Sequence, residues 1–447
     1  MIPLFIYDDA RARRFEPFAL TRPAGSLATG VWPVWLRWQV ALQCPAAGFV
    51  GAPHLDGFDD GFTFGIGTTP GMAAERIPAG SIIASGRFLA AAEILALRGG
   101  DDADATRRSL APDTRTGIWR AGGRVAALRT SRELDARTLR DRPPELETLA
   151  PEAAEEEVRG WWIDEVWDLV RLLPEVLADD LLQATRIRLP NGSRGLTDFG
   201  PPPDHATVLG SHPVLVGAAH EVGTTTIPAA TVEPHVVLDA TAGPIMIEHG
   251  AHVHAHARLT GPCYIGTGST VLGGDIATSS IGPMCKVRGE MSHTIMLGYA
   301  NKGHDGFVGH SVLGRWSNLG AGTITSNLKN TYGSVSLWTP DGLRDTGLQF
   351  LGTLFGDHAK TGIGTRLTTG SVLGAGANAY GSAMPPKAVP PFAWGERPPY
   401  ATYRLDKFLE VASRVMARRK CALSDGAKAQ LAAAWEARWS ANGGAGG

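Results

Sequence analysis

Residues 247–287 read IEHGAHVHAHARLTGPCYIGTGSTVLGGDIATSSIGPMCKV. Ile247, Val253, Leu259, Ile265 and Val271 stand six apart, and Ile281 and Val287 resume that spacing after a short insertion. A hexad with one aliphatic residue per repeat predicts a parallel β-helix. Each repeat is then one short face of a triangular coil. The aliphatic side chain points inward and stacks on its equivalent one coil away, and small residues beside it permit the corners. Aliphatic-Gly steps at Ile265-Gly266, Ile281-Gly282, Val308-Gly309, Leu319-Gly320, Ile363-Gly364 and Leu373-Gly374 extend the pattern. It runs from about residue 205 to Met384-Pro385-Pro386. The interruptions, of which 326–348 is the largest, are expected to loop out and to carry function.

Upstream the texture differs. Residues 1–157 alternate short apolar runs (Pro3 to Tyr7, Ser81 to Ala84) with helix-like stretches at 31–43 and 88–98. This alternation predicts an α/β domain. A Pro-, Glu- and Ala-rich boundary at 142–157 precedes an amphipathic helix over 158–187, expected to pack between domains, and a connector to residue 204. The tryptophans at 32, 35, 38, 161, 162 and 167 read as core. Downstream, a Pro-rich linker leads into a helical tail over 396–447. Its apolar positions are Leu405, Phe408, Leu409, Ala412 and Val415, and its last residues are expected to fray.

Charge and cysteine usage bound the function. Lys+Arg is 42 against Asp+Glu 44 in 447 residues, with no basic excess for a nucleic-acid footprint. No apolar run reaches the roughly 18 residues of a membrane span. The N-terminus carries Asp8 and Asp9 where a secretory signal has an apolar core, so none is expected. Cys44, Cys263, Cys285 and Cys421 form no CxxC, which predicts free thiols and a cytoplasmic location. The first lysine is Lys286, so no chemistry of the first 285 residues depends on one. Histidine concentrates between His205 and His310. His252, His254 and His256 alternate, and with Val253 inward they fall on outward or corner positions. A solvated face or a subunit contact is expected there, and no metal site.

Residues 299–327 read YANKGHDGFVGHSVLGRWSNLGAGTITSN. The segment resembles the acetyltransferase half of the bifunctional N-acetylglucosamine-1-phosphate uridyltransferase/glucosamine-1-phosphate acetyltransferases. Those enzymes join a Rossmann-like nucleotidyltransferase domain to a left-handed β-helix by a long helix, the order read here. LTRP (20–23), SNLKN (326–330), TGLQFLGTLFGDHAKTGIGT (346–365) and PPFAWG (390–395) are similar to a group of sugar nucleotidyltransferases with a β-helix C-terminus. This resemblance spans nearly all of 1–397. It implies acyl transfer from acetyl-CoA or another acyl-CoA to a sugar phosphate or sugar nucleotide, with His304 as general base. An ammonium is no nucleophile, and a neutral imidazole can take its proton.

By the same resemblance, Asn318 and Asn327 bind the sugar, Lys302 or Lys329 its phosphate, and Glu290 is a retained site residue. Ala321 and Gly322 form the pantetheine edge, with Thr353 and Ala375 further carry-overs. A homotrimer with interface sites is also implied. The chain departs from the pattern at Phe307, where a tyrosine is usual, at Gly309-His310 for Gly-Asp, and at Ser292 for a lysine. The acceptor is therefore expected to differ from glucosamine-1-phosphate. His358, beside Asp357, is a neighbour of undefined role.

The nucleotidyltransferase signature of the N-terminal domain is eroded. Aligning it places Arg14 and Pro17 on the pattern and Thr21-Arg22-Pro23 at the later step. Ala10-Arg11-Ala12-Arg13 replaces the phosphate-cradling glycines, and Ala24 the lysine. Arg14 and Arg22 are the candidate phosphate ligands, and Asp8 or Asp9 would hold Mg²⁺ if the domain is active. Three readings follow: an acyltransferase with a nucleotidyltransferase-like domain, a nucleotidyltransferase whose β-helix serves oligomerisation, or a non-catalytic sugar-nucleotide binder. The Arg414-Arg418-Arg419-Lys420 cluster is read as a solvated helix face.

Overall fold

A computed structural model describes residues 2–60, 63–64, 67–73, 75–91, 116–184, 199–222 and 225–439. The N-terminal region is built on a six-stranded sheet. Its order is Ala154–Glu157, Thr116–Ala121, Arg124–Arg129, Ile82–Ser85, Leu4–Tyr7, Ala46–Val50. Leu4–Tyr7 is parallel to both neighbours, and Arg124–Arg129 is antiparallel to both of its own. Ile82, Ile83 and Ala84 are wholly buried, as a strand covered on both faces requires. The helix expected at 31–43 spans Val34–Leu42, and Trp32, Trp35 and Trp38 lie in the core. Phe88–Ala90, read as helix, is instead a strand; residues 92–98 lie outside the described residues.

The helix expected over 158–187 is shorter. Gly160–Trp162 pairs antiparallel with Phe88–Ala90. Helix starts only at Asp168–Arg171 and continues as Leu173–Gln183. The Asp168 carboxylate accepts the Asp164 and Glu165 N–H groups at 2.9 Å each and so ties down the turn that precedes the helix. Asp180 on the second segment pairs with Arg37 at 2.5 Å and accepts the Val31 N–H at 2.7 Å, both side chains fully buried. These helices belong to the N-terminal core through Leu169, Leu173, Val176, Leu177 and Leu181.

From residue 199 the chain forms a long stack, one sheet of ten strands and one of 14, parallel except where Phe199–Gly200 meets Val214–Gly217 and Ala401–Thr402 meets Ala393–Gly395. Partners recur one coil away: Ile245–Ile247 pairs with Cys263–Ile265, and His252–Val253 with Thr270–Val271. Ile247, Val253, Leu259, Ile265, Val271, Ile281 and Val287 are all 0% exposed and share one core. The hexad positions therefore point inward as read. Ile363 departs from the pattern at 81% exposed.

The ten-stranded sheet is apolar on both sides, because its outward Met246, Tyr264, Val312, Leu354 and Val372 pack into the same core as the N-terminal helices. The 326–348 interruption does loop out. It forms a hairpin, Ser336–Thr339 with Gly342–Asp345, that reaches the N-terminal region. Arg344 grips Glu165 with two hydrogen bonds of 2.9 Å, and Arg14 pairs with Asp341. The tail is two helices, Leu405–Ala417 and Asp425–Ala437, broken at Lys420 (φ 60°) and restarted by Ser424, whose hydroxyl accepts the Ala427 N–H. Among the described residues no helix is long and apolar enough to cross a membrane.

Candidate functional site

His304 stands where one column of strands turns into the next. Asn301–Lys302 ends there, and Phe307–Gly309 begins the following column. Gly306 makes the turn possible: at φ 131° an added Cβ would lie 2.4 Å from the Thr323 carbonyl oxygen. Below the turn, the buried Lys302 ammonium donates to the carbonyls of His304 and, at 3.3 Å, Arg288. Burial lowers the Lys302 pKa to about 8. Arg288 is tied to Asp305 at 3.0 Å and to the Leu272 carbonyl at 3.1 Å. The imidazole is thus exposed on a backbone fixed from beneath.

Two adjoining cavities meet at this residue. One, of 760 Å³, runs past His254, Leu272, Arg288, Ala321 and Gly322. The other, of 570 Å³, is lined by Lys286, Asn301, Asn318, Lys360, Arg418 and Arg419 among others. Gly303, His304 and Leu272 line both. The second cavity carries four cationic side chains and no carboxylate, so its field favours an anion. Its floor is a ladder in register, Lys286, Asn301, Asn318 and Lys360, with Asn301 Nδ2 donating to Asn318 Oδ1 at 2.7 Å. Burial lowers the Lys360 pKa to about 8.

The cluster read as a solvated face therefore divides. Arg418 and Arg419 follow the Leu405–Ala417 helix and line the basic cavity. Sequence spacing alone could not show this, because the contact is made across the tail's return onto the stack. Asn301 and Lys286 were also missed. Their signal was the coil period itself, which places them in line with Asn318.

Other expected residues fall elsewhere. Asn327 donates to His310 Nδ1 at 2.9 Å, in a corner where His310 stacks on His293 (4.4 Å) and Phe350 (5.2 Å). Burial and the neighbouring His293 lower the His310 pKa to about 4. Glu290 is exposed and in register with Phe307, and neither lines the two cavities. Lys329 lies in the outlooped segment near Asp345. Thr353 and Ala375 are buried, Thr353 on the ten-stranded sheet and Ala375 against Leu20, Phe392 and Phe408. His358 is buried between Trp316 and Phe408, and burial holds its pKa well below the usual histidine value.

The N-terminal candidates are engaged internally. Arg22, 3% exposed, binds Asp357 through Nε at 2.9 Å and Asp60 at 3.3 Å. Asp60 also pairs with Arg315 at 2.6 Å. This buried network joins the N-terminal region to the stack and leaves phosphate binding to other groups. Asp9 is held by Arg87 and by the Ala12 N–H. Asp8 is enclosed, accepts the Ala24 N–H at 2.8 Å, and is pushed up to about 7 by burial. Neither carboxylate is presented to a magnesium ion. Arg14 remains at the surface, with Arg11 and Arg344 around a 420 Å³ cavity between the 10–15 loop and the hairpin. Glu233, His252 and His254 form a further cluster, their nearest ligand atoms within 4.8 Å of one another.

Residues 4–188 match the family described as sugar nucleotidyl transferase. The chain is also 30% identical over 95 residues to a bifunctional sugar-1-phosphate nucleotidylyltransferase/acetyltransferase of Sulfurisphaera tokodaii. That stretch is 21% of this chain and 24% of the relative, so the chain spans about a quarter of the protein it matches. Both comparisons are with transferases, in agreement with the resemblance read from the motifs.

Proposed function

We propose that the chain is a sugar-directed transferase whose parallel stack, read as a left-handed β-helix, performs CoA-dependent acyl transfer with His304 as general base. One observation carries this reading: His304 is the titratable side chain shared by a basic cavity and a second cavity floored by Ala321 and Gly322. The first suits a sugar phosphate, with Lys286, Lys360, Arg418 and Arg419 for the phosphate and Asn301 and Asn318 for hydroxyls. The second suits the pantetheine arm. Acyl-CoA would supply an activated carbonyl at the junction. His304 takes the proton from the acceptor amine or hydroxyl as that atom attacks the thioester carbon. The carbon–sulfur bond then breaks, and the proton passes to the departing thiolate. Base catalysis of this kind contributes about 10²–10⁴-fold. Lys302 acts as a positioning residue beneath the base.

The exposed Ile324 and Ile363 lie on the edge beside Ala321 and would be covered by a second copy of the chain in the homotrimer that the resemblance implies. No disulfide joins Cys44, Cys263, Cys285 and Cys421, which fits a reducing cytoplasm.

The family match over 4–188 favours a second reading, nucleotidyl transfer in the N-terminal domain. Its nucleotide would enter the open cavity of Arg11, Arg14 and Arg344, displacing the carboxylates of Asp164, Asp341 and Glu165 that pair with them, rather than approach the buried Arg22. A thermal-shift panel separates the two. Acetyl-CoA at a hundredfold over Kd adds about 2.7 kcal/mol to stability if the first holds. A response to nucleotides with none to CoA would move the chemistry to the N-terminal domain and leave the stack as an assembly module.

A further inference from the structure

Three ligand-bearing side chains meet at the far end of the cavity that His304 lines. His252 and His254 flank the inward Val253, so both imidazoles project outward on one side of the strand. Their rings stack at 4.1 Å. Glu233 comes from the adjacent coil, where Thr231–Val232 pairs with His252–Val253. One carboxylate oxygen lies 2.7 Å from His252 Nε2 and 3.1 Å from His254 Nδ1. The other accepts the Ala255 N–H at 2.8 Å, which fixes the carboxylate plane. All three ligand atoms lie within 4.8 Å of one another.

We propose that Glu233, His252 and His254 bind one divalent transition-metal ion of the zinc class. The donor set is two neutral imidazoles and one carboxylate on one side of the ion, with positions left open. Ligand atoms on a tetrahedral zinc with bonds of about 2.0–2.1 Å stand about 3.3 Å apart. The present spacings therefore reach it by small side-chain rotations. The three side chains are 32–38% exposed, so an ion reaches them without opening the fold. His254 turns the site toward the cavity. Its column continues through Leu272, Arg288 and Gly303, so the ion would sit about 14 Å from His304 at the coil spacing of about 4.8 Å. It is therefore a site separate from the proposed base, placed to meet the distal end of whatever the cavity holds. The inference rests on this geometry and not on the acyltransferase reading.

The test is a Co²⁺ titration of the tag-free, metal-stripped full chain, read by visible d–d absorption and reversed with Zn²⁺. Wild type should saturate at one equivalent. His254→Ala and Glu233→Gln should each weaken binding about 100-fold or more, at or above the upper end of what losing an outer-shell partner costs. His256→Ala, which removes a neighbouring exposed imidazole, should leave the isotherm unchanged. Circular dichroism checks that the variants fold, and a His252→Gln variant replaces any that does not. Absorbance that never saturates, or an isotherm shared by wild type and His254→Ala, would overturn the site.

Discussion

Replacing Asp357 with alanine tests how the two regions are joined. The Asp357 carboxylate accepts Arg22 Nε at 2.9 Å, the Thr21 hydroxyl at 3.0 Å and the Arg315 N–H at 2.8 Å. All of these groups are buried. Removing it strips three donors of their acceptor and leaves the Arg22 guanidinium with Asp60 at 3.3 Å as its remaining carboxylate. An unsatisfied buried donor costs about 1–3 kcal/mol, and breaking a buried ion pair by removing one partner costs about 3–5 kcal/mol. These overlap, so about 4 kcal/mol is expected. The assay is denaturant unfolding followed by tryptophan fluorescence and circular dichroism together, since a chain of this size need not unfold in one step. Arg22→Met/Asp357→Leu should recover a good part of the loss, because the remaining Asp60–Arg315 pair at 2.6 Å is internally neutral. A loss under about 1 kcal/mol in Asp357→Ala, or a double variant no better than the single, would refute the reasoning.

Two further outcomes follow. Arg418→Ala with Arg419→Ala should raise KM for a phosphorylated acceptor with little change in kcat, because those side chains contribute charge to the basic cavity and lie away from the reacting atoms. The stability that His310 and His358 contribute should fall as pH drops from about 6.5 toward 4, against an opposite contribution from the buried Asp8, Glu16 and Asp180, whose carboxyls burial raises. Burial lowers the pKa of His310 to about 4 and of His358 further, so over that window these two side chains bind more protons in the unfolded chain than in the folded one. Each such histidine steepens the slope by up to about 1.4 kcal/mol per pH unit, and the effect is absent above the unfolded pKa. Relative to its own value at about pH 7, the denaturant midpoint at about pH 5 should be higher in His310→Gln than in wild type, and an unchanged pH 5 to pH 7 difference would refute the assignment.

The sequence was most informative where one local rule governs many residues. The inward aliphatic positions from Ile247 to Val287 depend only on the coil period, so they could be read without knowing what the stack packs against. The same rule brought His304, Asn318, Ala321 and Gly322 to one place. It was insufficient where a contact joins distant parts of the chain. Arg22 resembles a phosphate ligand until Asp357, 335 residues later, is seen to hold it. The 158–187 segment has helical spacing throughout, yet Gly160–Trp162 finds a strand partner at Phe88–Ala90 and the helix waits for Asp168. Lys302 stood within the motif, but its ammonium serves the backbone under the base and does not face the cavity. Ile363 kept the repeat's chemistry and is exposed, which no count of hexads anticipates.

The central claim is acyl transfer at His304, and CoA release measures it most directly. Acetyl-CoA is supplied with a panel of amino-sugar phosphates and sugar nucleotides, and free thiol is followed for wild type and His304→Gln. The account predicts acceptor-dependent thiol release by wild type, reduced about 10²–10⁴-fold in the variant while acetyl-CoA still binds both proteins. Equal release by the two proteins would contradict it.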